Sequence, residues 1–143
     1  MQVLWADVAG TPSELPESER LAAVGAAVRS AIAAHAPDHL ALERVAWNVN
    51  KKSAMAVARA TGVVMAVAAE AGVGVSEYGS REVKNAVTGS GSADKAQVRR
   101  ALERVHGLSG VPEQNDAADA VAIALTHIVG IPIAVGAAQA AIR

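Results

Sequence analysis

The chain has 143 residues, 52% of them hydrophobic and 19% charged, with a formal net charge of −1. That suffices for one domain with a single substantial core, and so small a net charge makes no global case for a polyanionic partner. The absence of cysteine excludes a disulfide framework, a zinc–thiolate site and a thiol nucleophile. Much of the apolar fraction is alanine, and the aromatics are Trp5, Trp47 and Tyr78, a composition that suggests closely packed helices. The N-terminus shows no basic region followed by a long apolar one, so no secretory signal is read there, and a reducing cytoplasm suits the chain.

Val3 to Val8 reads as a short strand with Asp7 near its end, closed by a turn at Ala9-Gly10-Thr11-Pro12. Pro16 to Ala34 follows as an amphipathic helix with Leu21, Val24, Ala27 (or Val28) and Ile32 on its inner face. After the stop at Ala36-Pro37-Asp38, His39 to Val45 alternates as a strand and carries Glu43 near its far end. Asn48 and Asn50 flank the next turn. The helix from Lys52 to Ala71 is apolar or small nearly all round between Ala60 and Ala69, which points to burial on two sides and to a subunit contact. Gly72 ends it.

Gly74 to Tyr78 is a second short strand, and Ser80 to Val87 a short helix carrying Arg81 and Lys84. A Thr-Gly-Ser-Gly-Ser turn at 88–92 introduces a helix from about Ala93 to His106, and a loop leads to a last helix beginning near Asn115. Ala120 to Ile142 contains no Asp, Glu, Lys or Arg and is long enough to cross a bilayer. Gly130-Ile131-Pro132, His127 and Gln139 interrupt it, and Ala and Gly stand where Leu would be expected, so it reads as two helices outside a membrane. Strands alternating with helices predict an α/β fold, a mostly parallel sheet flanked by helices, in one domain over 1–143 with a small tail at 131–143.

Asp116 and Asp119 lie three apart at the start of the last helix, so both carboxylates project from one face, ahead of core-spaced Ala120, Ile123, Ala124 and Ile128. They serve either as first-turn acids, with Asn115 or Asp116 as N-cap, or as ligands for a divalent cation. Glu43 falls toward the C-terminal end of its strand, where open α/β sheets place their sites, and an acid in an apolar strand needs a partner, a metal or solvent. Between Arg81 and Arg104, Arg81, Lys84, Lys95, Arg99, Arg100 and Arg104 outnumber Glu82, Asp94 and Glu103. This local excess suits phosphate contact or, equally, a solvated helix face.

Together these stretches resemble one family. Glu43-Arg44-Val45, Asn50, Ser53-Ala54-Met55 and Gly62 look like the strand-to-helix segment of RuvC-type Holliday-junction resolvases. Val83-Lys84, Thr88-Gly89 and Ser92 to Val98 resemble their basic turn, and Asn115 to Ala120 with Ala122-Ile123-Ala124 their final acidic helix. The resemblance runs from about Thr11 to His127 with its three motifs in the family's order. It implies an RNase H-like fold, a homodimer, partnership with a branch-migration helicase, and Mg²⁺-dependent (or Mn²⁺-dependent) nicking of four-way DNA junctions in recombination and repair. Glu43, Asp116 and Asp119 then stand as catalytic carboxylates and metal ligands. Two-metal phosphodiester hydrolysis needs such carboxylates to hold ions roughly 3.5–4 Å apart. Lys84 and Lys95 match lysines near the scissile phosphate. Arg81, Arg99, Lys51 and Lys52 extend the basic surface.

The chain departs from the family twice. The position three after Glu43, an aromatic wedge in the family, is Ala46, with Trp47 next; Trp47 serves either as a shifted stacking surface or as a core or dimer contact. The family also opens with three strands, the first bearing an essential Asp, and this chain has room for one. Either Val3 to Leu15 is the end of the third strand and the first Asp is missing, or Val3 to Asp7 occupies the central slot beside the Glu43 strand and Asp7 completes the site. The functional alternatives are an active junction endonuclease, a non-catalytic junction-binding or dimerising remnant, and a chain whose natural start lies upstream of Met1.

Overall fold

The fold is that of a computed structural model describing residues 1–46 and 51–130. The expectations for Trp47, Asn48, Asn50 and the 131–143 tail lie outside the described residues, as do the side chains of Lys51 and Lys52. The elements run α1 (Glu17–His35), β1 (His39–Glu43), α2 (Lys51–Glu70), β2 (Gly74–Tyr78), α3 (Ser80–Thr88), α4 (Lys95–Arg100) and α5 (Asn115–Gly130).

β1 and β2 pair in parallel, His39 opposite Gly74 and Glu43 opposite Tyr78, as expected when a helix connects two strands. Because strand side chains alternate, His39, Ala41 and Glu43 share a face with Gly74, Ser76 and Tyr78. That face receives α5, whose Asp119, Ile123 and His127 recur every four residues along one side of the helix. Leu40, Leu42 and Val75 point the other way. α2 packs against β2, and α1 lies along α2.

The α1–α2 crossing is close because of Gly25, the buried residue of α1; a Cβ there would stand 3.2 Å from Val63 Cγ1. The predicted inner residues Leu21, Val24, Val28 and Ile32 are half-buried. A larger side chain at the crossing forces the helices apart, so Gly25→Leu is expected to lower stability by about 1–3 kcal/mol, read as a fall in the urea midpoint at unchanged slope. Outside the crossing, the Arg59 guanidinium donates to Glu17 at the start of α1, and this bond holds the Glu17 carboxyl below its ordinary pKa.

The main core lies between α3, α4, α5 and the segment between them: Val83, Val87, Ala93, Val98, Ala101, Leu102, Leu108, Ala122 and Leu125. Asp94 starts α4 with a reciprocal cap, accepting from the Gln97 backbone N–H while the Gln97 side chain accepts from its own, both at 2.8 Å.

Four expectations are corrected. The helix predicted over 93–106 is α4 followed by a π-helical turn at Ala101–Val105; the wider turn lets Gly107, at φ +61°, swing Leu108 into the core. β1 ends at Glu43, two residues early. α5 begins at Asn115, so neither Asn115 nor Asp116 is the residue flanking it as N-cap. Val3 to Val8 forms no strand: a single parallel bridge joins Gln2 to Ser109, with Val3 N–H donating to the Ser109 carbonyl at 3.1 Å. The segment instead lines an open apolar cleft against α5, with Val3 packed on the core, and among the described residues β1 has a strand partner on one edge only.

Candidate metal and nucleic-acid site

Glu43 closes β1 at the end facing α3 and α5. The strand's end is fastened there by Arg44, whose backbone N–H donates to the Tyr78 carbonyl (2.8 Å) and whose guanidinium donates to the Glu77 carbonyl (3.0 Å). Across a cleft of about 300 Å³, Glu43 meets Ser80 and Lys84 of α3, Lys95 of α4 and Asp119 of α5, over an apolar floor of Val83, Val98, Ala122 and Ile123. One helical turn before Asp119, Asp116 lies exposed in the first turn of α5, where the helix dipole favours an anion.

Lys95 is the link between these groups. Its ammonium donates to Asp119 Oδ2 at 2.9 Å. Its pKa is raised first by that bond and by the Asp119 charge, burial opposes this, and the charges of Asp116 and Glu43 add least. Asp119 is thus the carboxylate that pairs with Lys95, with Glu43 facing both across the cleft.

As donors, three carboxylates are hard oxygen ligands of the kind that Mg²⁺ and Mn²⁺ take, and none of the soft ligands that would select zinc or copper is among them. The residue types fit a divalent cation. Their spacing is looser: among the described residues no three acidic or histidine side chains converge on a metal-sized point. Part of the reason is that the Lys95 ammonium already neutralises Asp119 from within the cleft.

The other candidates are placed elsewhere. Asp7 is exposed; it accepts from the Val8 N–H at 2.8 Å and lines two apolar clefts, one with Ala117 to Ile128 of α5 and one with Ala27 to His35 of α1. Neither contains Glu43 or Asp119. Trp5, beside it, stacks on His35 with ring centroids 4.8 Å apart. Arg99 donates to the Glu113 carbonyl at 2.6 Å, tying α4 to the loop that enters α5. The Arg81 side chain runs over Gly91, where a Cβ would come within 2.7 Å of its Cγ, so this glycine opens the path of the arginine across the 88–92 turn.

Sequence reasoning missed Ser80, Arg44 and a cluster of His39, Ser76, Tyr78 and His127 on the same sheet face. The four-residue spacing of Asp119, Ile123 and His127 was the available signal for the last of these. The pairing of His39 with the second strand could not be read without the register.

Comparison with known proteins follows the same elements. Residues 1–127 match the family described as crossover junction endodeoxyribonuclease RuvC. A relative of that description from Mycobacterium avium is 43% identical over 134 residues, covering 94% of this chain and 71% of its own. Another, from Mycobacterium ulcerans, is 44% identical over 140 residues, covering 98% and 76%. Among solved structures, Thermus thermophilus RuvC in complex with a Holliday junction substrate superposes with a TM-score of 0.81 at 35% identity, over 89% of this chain and 77% of that one. Thermus thermophilus RuvC, described without a junction, gives 0.76 at 34% identity. The RNase H-like α/β fold expected from the sequence, a parallel sheet flanked by helices, is thereby borne out.

Proposed function

The chain belongs to the RuvC family of crossover junction endodeoxyribonucleases, and on that footing we propose that it nicks four-way DNA junctions with a divalent cation held by Glu43, Asp116 and Asp119. The observation that carries this reading is the cleft at the end of β1 that sets Glu43 across from Asp119 and its partner Lys95, with Asp116 one helical turn before Asp119. The superposition with a resolvase bound to its Holliday junction supports the substrate class.

In this reading the carboxylates hold the cation and the chain's own cations hold the DNA. A bound Mg²⁺ supplies an activated water and stabilisation of the leaving oxygen. Lys84 contacts the phosphate backbone at the cleft wall. Lys95, which in the free protein balances Asp119, turns to the phosphate when a divalent cation takes over the carboxylates, so its charge is exchanged rather than lost. Arg81 extends the phosphate track past the 88–92 turn. Arg99 contributes through the loop that it holds. Trp47, Lys51 and Lys52 are assigned to the same DNA surface by the family resemblance. Such contacts displace counterions, so junction affinity falls with salt.

A homodimer suits the apolar face that α2 leaves uncovered at Met55 and Val57. Assembly with a branch-migration helicase and a cytoplasmic location rest on the family resemblance and on composition. The second reading, a junction-binding protein without cleavage, is favoured by the spacing of the acids, which does not close on a metal among the described residues.

Nicking of a labelled synthetic four-way junction in Mg²⁺ or Mn²⁺, beside a linear duplex and with Asp7→Asn in parallel, tests both. Cleavage by parent and variant alike is expected from Asp7's place over α5. Cleavage by the parent alone would put Asp7 in the site through a rearranged N-terminal segment. Junction binding without cleavage, in folded protein, would establish the second reading.

A further inference from the structure

On the same α5–β1 face as the carboxylates, four side chains from three elements form a continuous chain that runs from His39, at the far end of β1, to Tyr78, opposite Glu43. The His39 ring lies over Gly74, where a Cβ would stand 2.5 Å from its Nδ1, so the position accepts only glycine while the ring is there. His39 Nε2 is 3.0 Å from the Ser76 hydroxyl. Its ring stacks on that of His127 with centroids 4.2 Å apart and planes 12° from parallel. His127 Nδ1 in turn is 2.8 Å from the Tyr78 hydroxyl, which donates whenever that nitrogen is unprotonated. Near-parallel rings direct their nitrogen lone pairs along the ring planes and not toward a shared point, which rules out chelation of an ion between them. What the arrangement does respond to is protonation, since two imidazolium rings at this separation repel.

We propose that the His39–His127 stack, with Tyr78, is a proton-sensitive latch that positions α5 on β1 and loosens when both rings are protonated. α5 carries Asp119 two turns before His127, and β1 carries Glu43 four residues after His39, so the latch holds the same two elements that supply the carboxylates. His39 and His127 are positioning residues on this account.

The charges around the pair leave it undefended. On α5 the acids are Asp116 and Asp119, at the other end of the helix. From β1 the facing charge is His39; Glu43 lies at the strand's far end. From β2 it is Tyr78, Glu77 being on the opposite face. Lys84 of α3 and Lys95 of α4 line the carboxylate cleft. No carboxylate acts on His127, and burial together with the His39 charge pushes its pKa down.

The sign follows from that direction. The unfolded chain binds a proton at His127 more readily than the folded one, so this contribution to stability is full above the ordinary histidine pKa, about 6.5, and is lost as pH falls from there through the lower folded value.

The test is independent of nuclease activity in its first arm, while its second rests on the proposed function. Ring-proton NMR titration and thermal melts of the full chain from about pH 8 to about pH 5.5 are compared with those of His39→Gln, which keeps a hydrogen-bonding group near Ser76 but no charge. In the parent, His127 is expected to titrate below the ordinary histidine value, and the melting temperature to fall by a few degrees across the range, about 3–6 °C. In His39→Gln the His127 midpoint rises and part of that fall disappears, the part due to burial remaining. Tyr78→Phe, which keeps the ring and removes the hydroxyl, raises the His127 midpoint in the same direction and serves if His39→Gln does not fold. In the second arm, the variant-to-parent ratio of junction-nicking rates grows as pH falls. Equal pH dependence of melting in parent and His39→Gln, or a His127 midpoint indifferent to both substitutions, overturns the latch. A parent that does not nick overturns the nuclease reading and leaves the latch to be decided by the first arm.

Discussion

Glu43→Gln is expected to remove divalent-cation-dependent nicking of four-way junctions while junction binding persists. Glutamine keeps the shape of the strand end and the Arg44 bonds to β2, which come from its neighbour's backbone and guanidinium. It removes one of the three charges that act on Lys95 and would act on a metal. Loss of a residue that merely supports a metal ligand typically costs 10–100-fold, so loss of a ligand itself is expected to cost at least about 100-fold in rate. Gel-shift affinity measured beside single-turnover cleavage separates the two effects. A Glu43→Gln protein that cleaves at the parent rate would show that the end of β1 is not where the metal binds. Asp119→Asn is expected to abolish cleavage too, with a second signature. The Lys95 ammonium loses the partner that most raises its pKa, so its titration moves to lower pH, toward the ordinary lysine value.

Leu102→Ala should be the most destabilising of the substitutions considered. Leu102 is fully buried in the layer where α3, the π-helical turn and α5 meet, and with Leu125 it is the largest such side chain. Truncation removes the burial of three carbon atoms and leaves a void whose walls are helices pinned by other contacts, at an expected cost of about 2–5 kcal/mol. Against a total of about 5–15 kcal/mol for a domain of this size, that is enough to leave an appreciable fraction unfolded at 37 °C. Chemical denaturation reads the effect directly. A loss under about 1 kcal/mol would mean that the site collapses around the smaller side chain.

The carboxylates were legible before the fold because each sits at a position that local rules mark. Glu43 ends an alternating apolar run, and Asp116 and Asp119 share a helical face ahead of a core-spaced stripe. Their family order came from three separate stretches, and the RuvC match over residues 1–127 bears that resemblance out. β2, α3 and the body of α1, α2 and α5 were equally accessible, since hydrophobic periodicity and glycine or proline stops depend on neighbours in sequence.

Tertiary structure decided the rest. Whether Val3 to Val8 becomes a strand depends on an open sheet edge competing with an apolar helix face, and the contest went to α5, with the backbone bridging Ser109 instead of β1. Where α4 changes to a π-helical turn depends on the need to seat Leu108 beside Leu102, residues whose contact no local pattern announces. The family resemblance assigns Lys95 to the phosphate, and the local excess of basic residues assigns Arg99 to the same surface. Packing sent one to Asp119 and the other to the Glu113 carbonyl. The sequence by itself determined which residues could do the chemistry and the family they belong to, because those properties are written in residue type and spacing. Which of them meet, and that His39 stacks on His127, depends on the parallel register of β1 with β2 and on the face that α5 presents to them, relations between segments far apart in the chain.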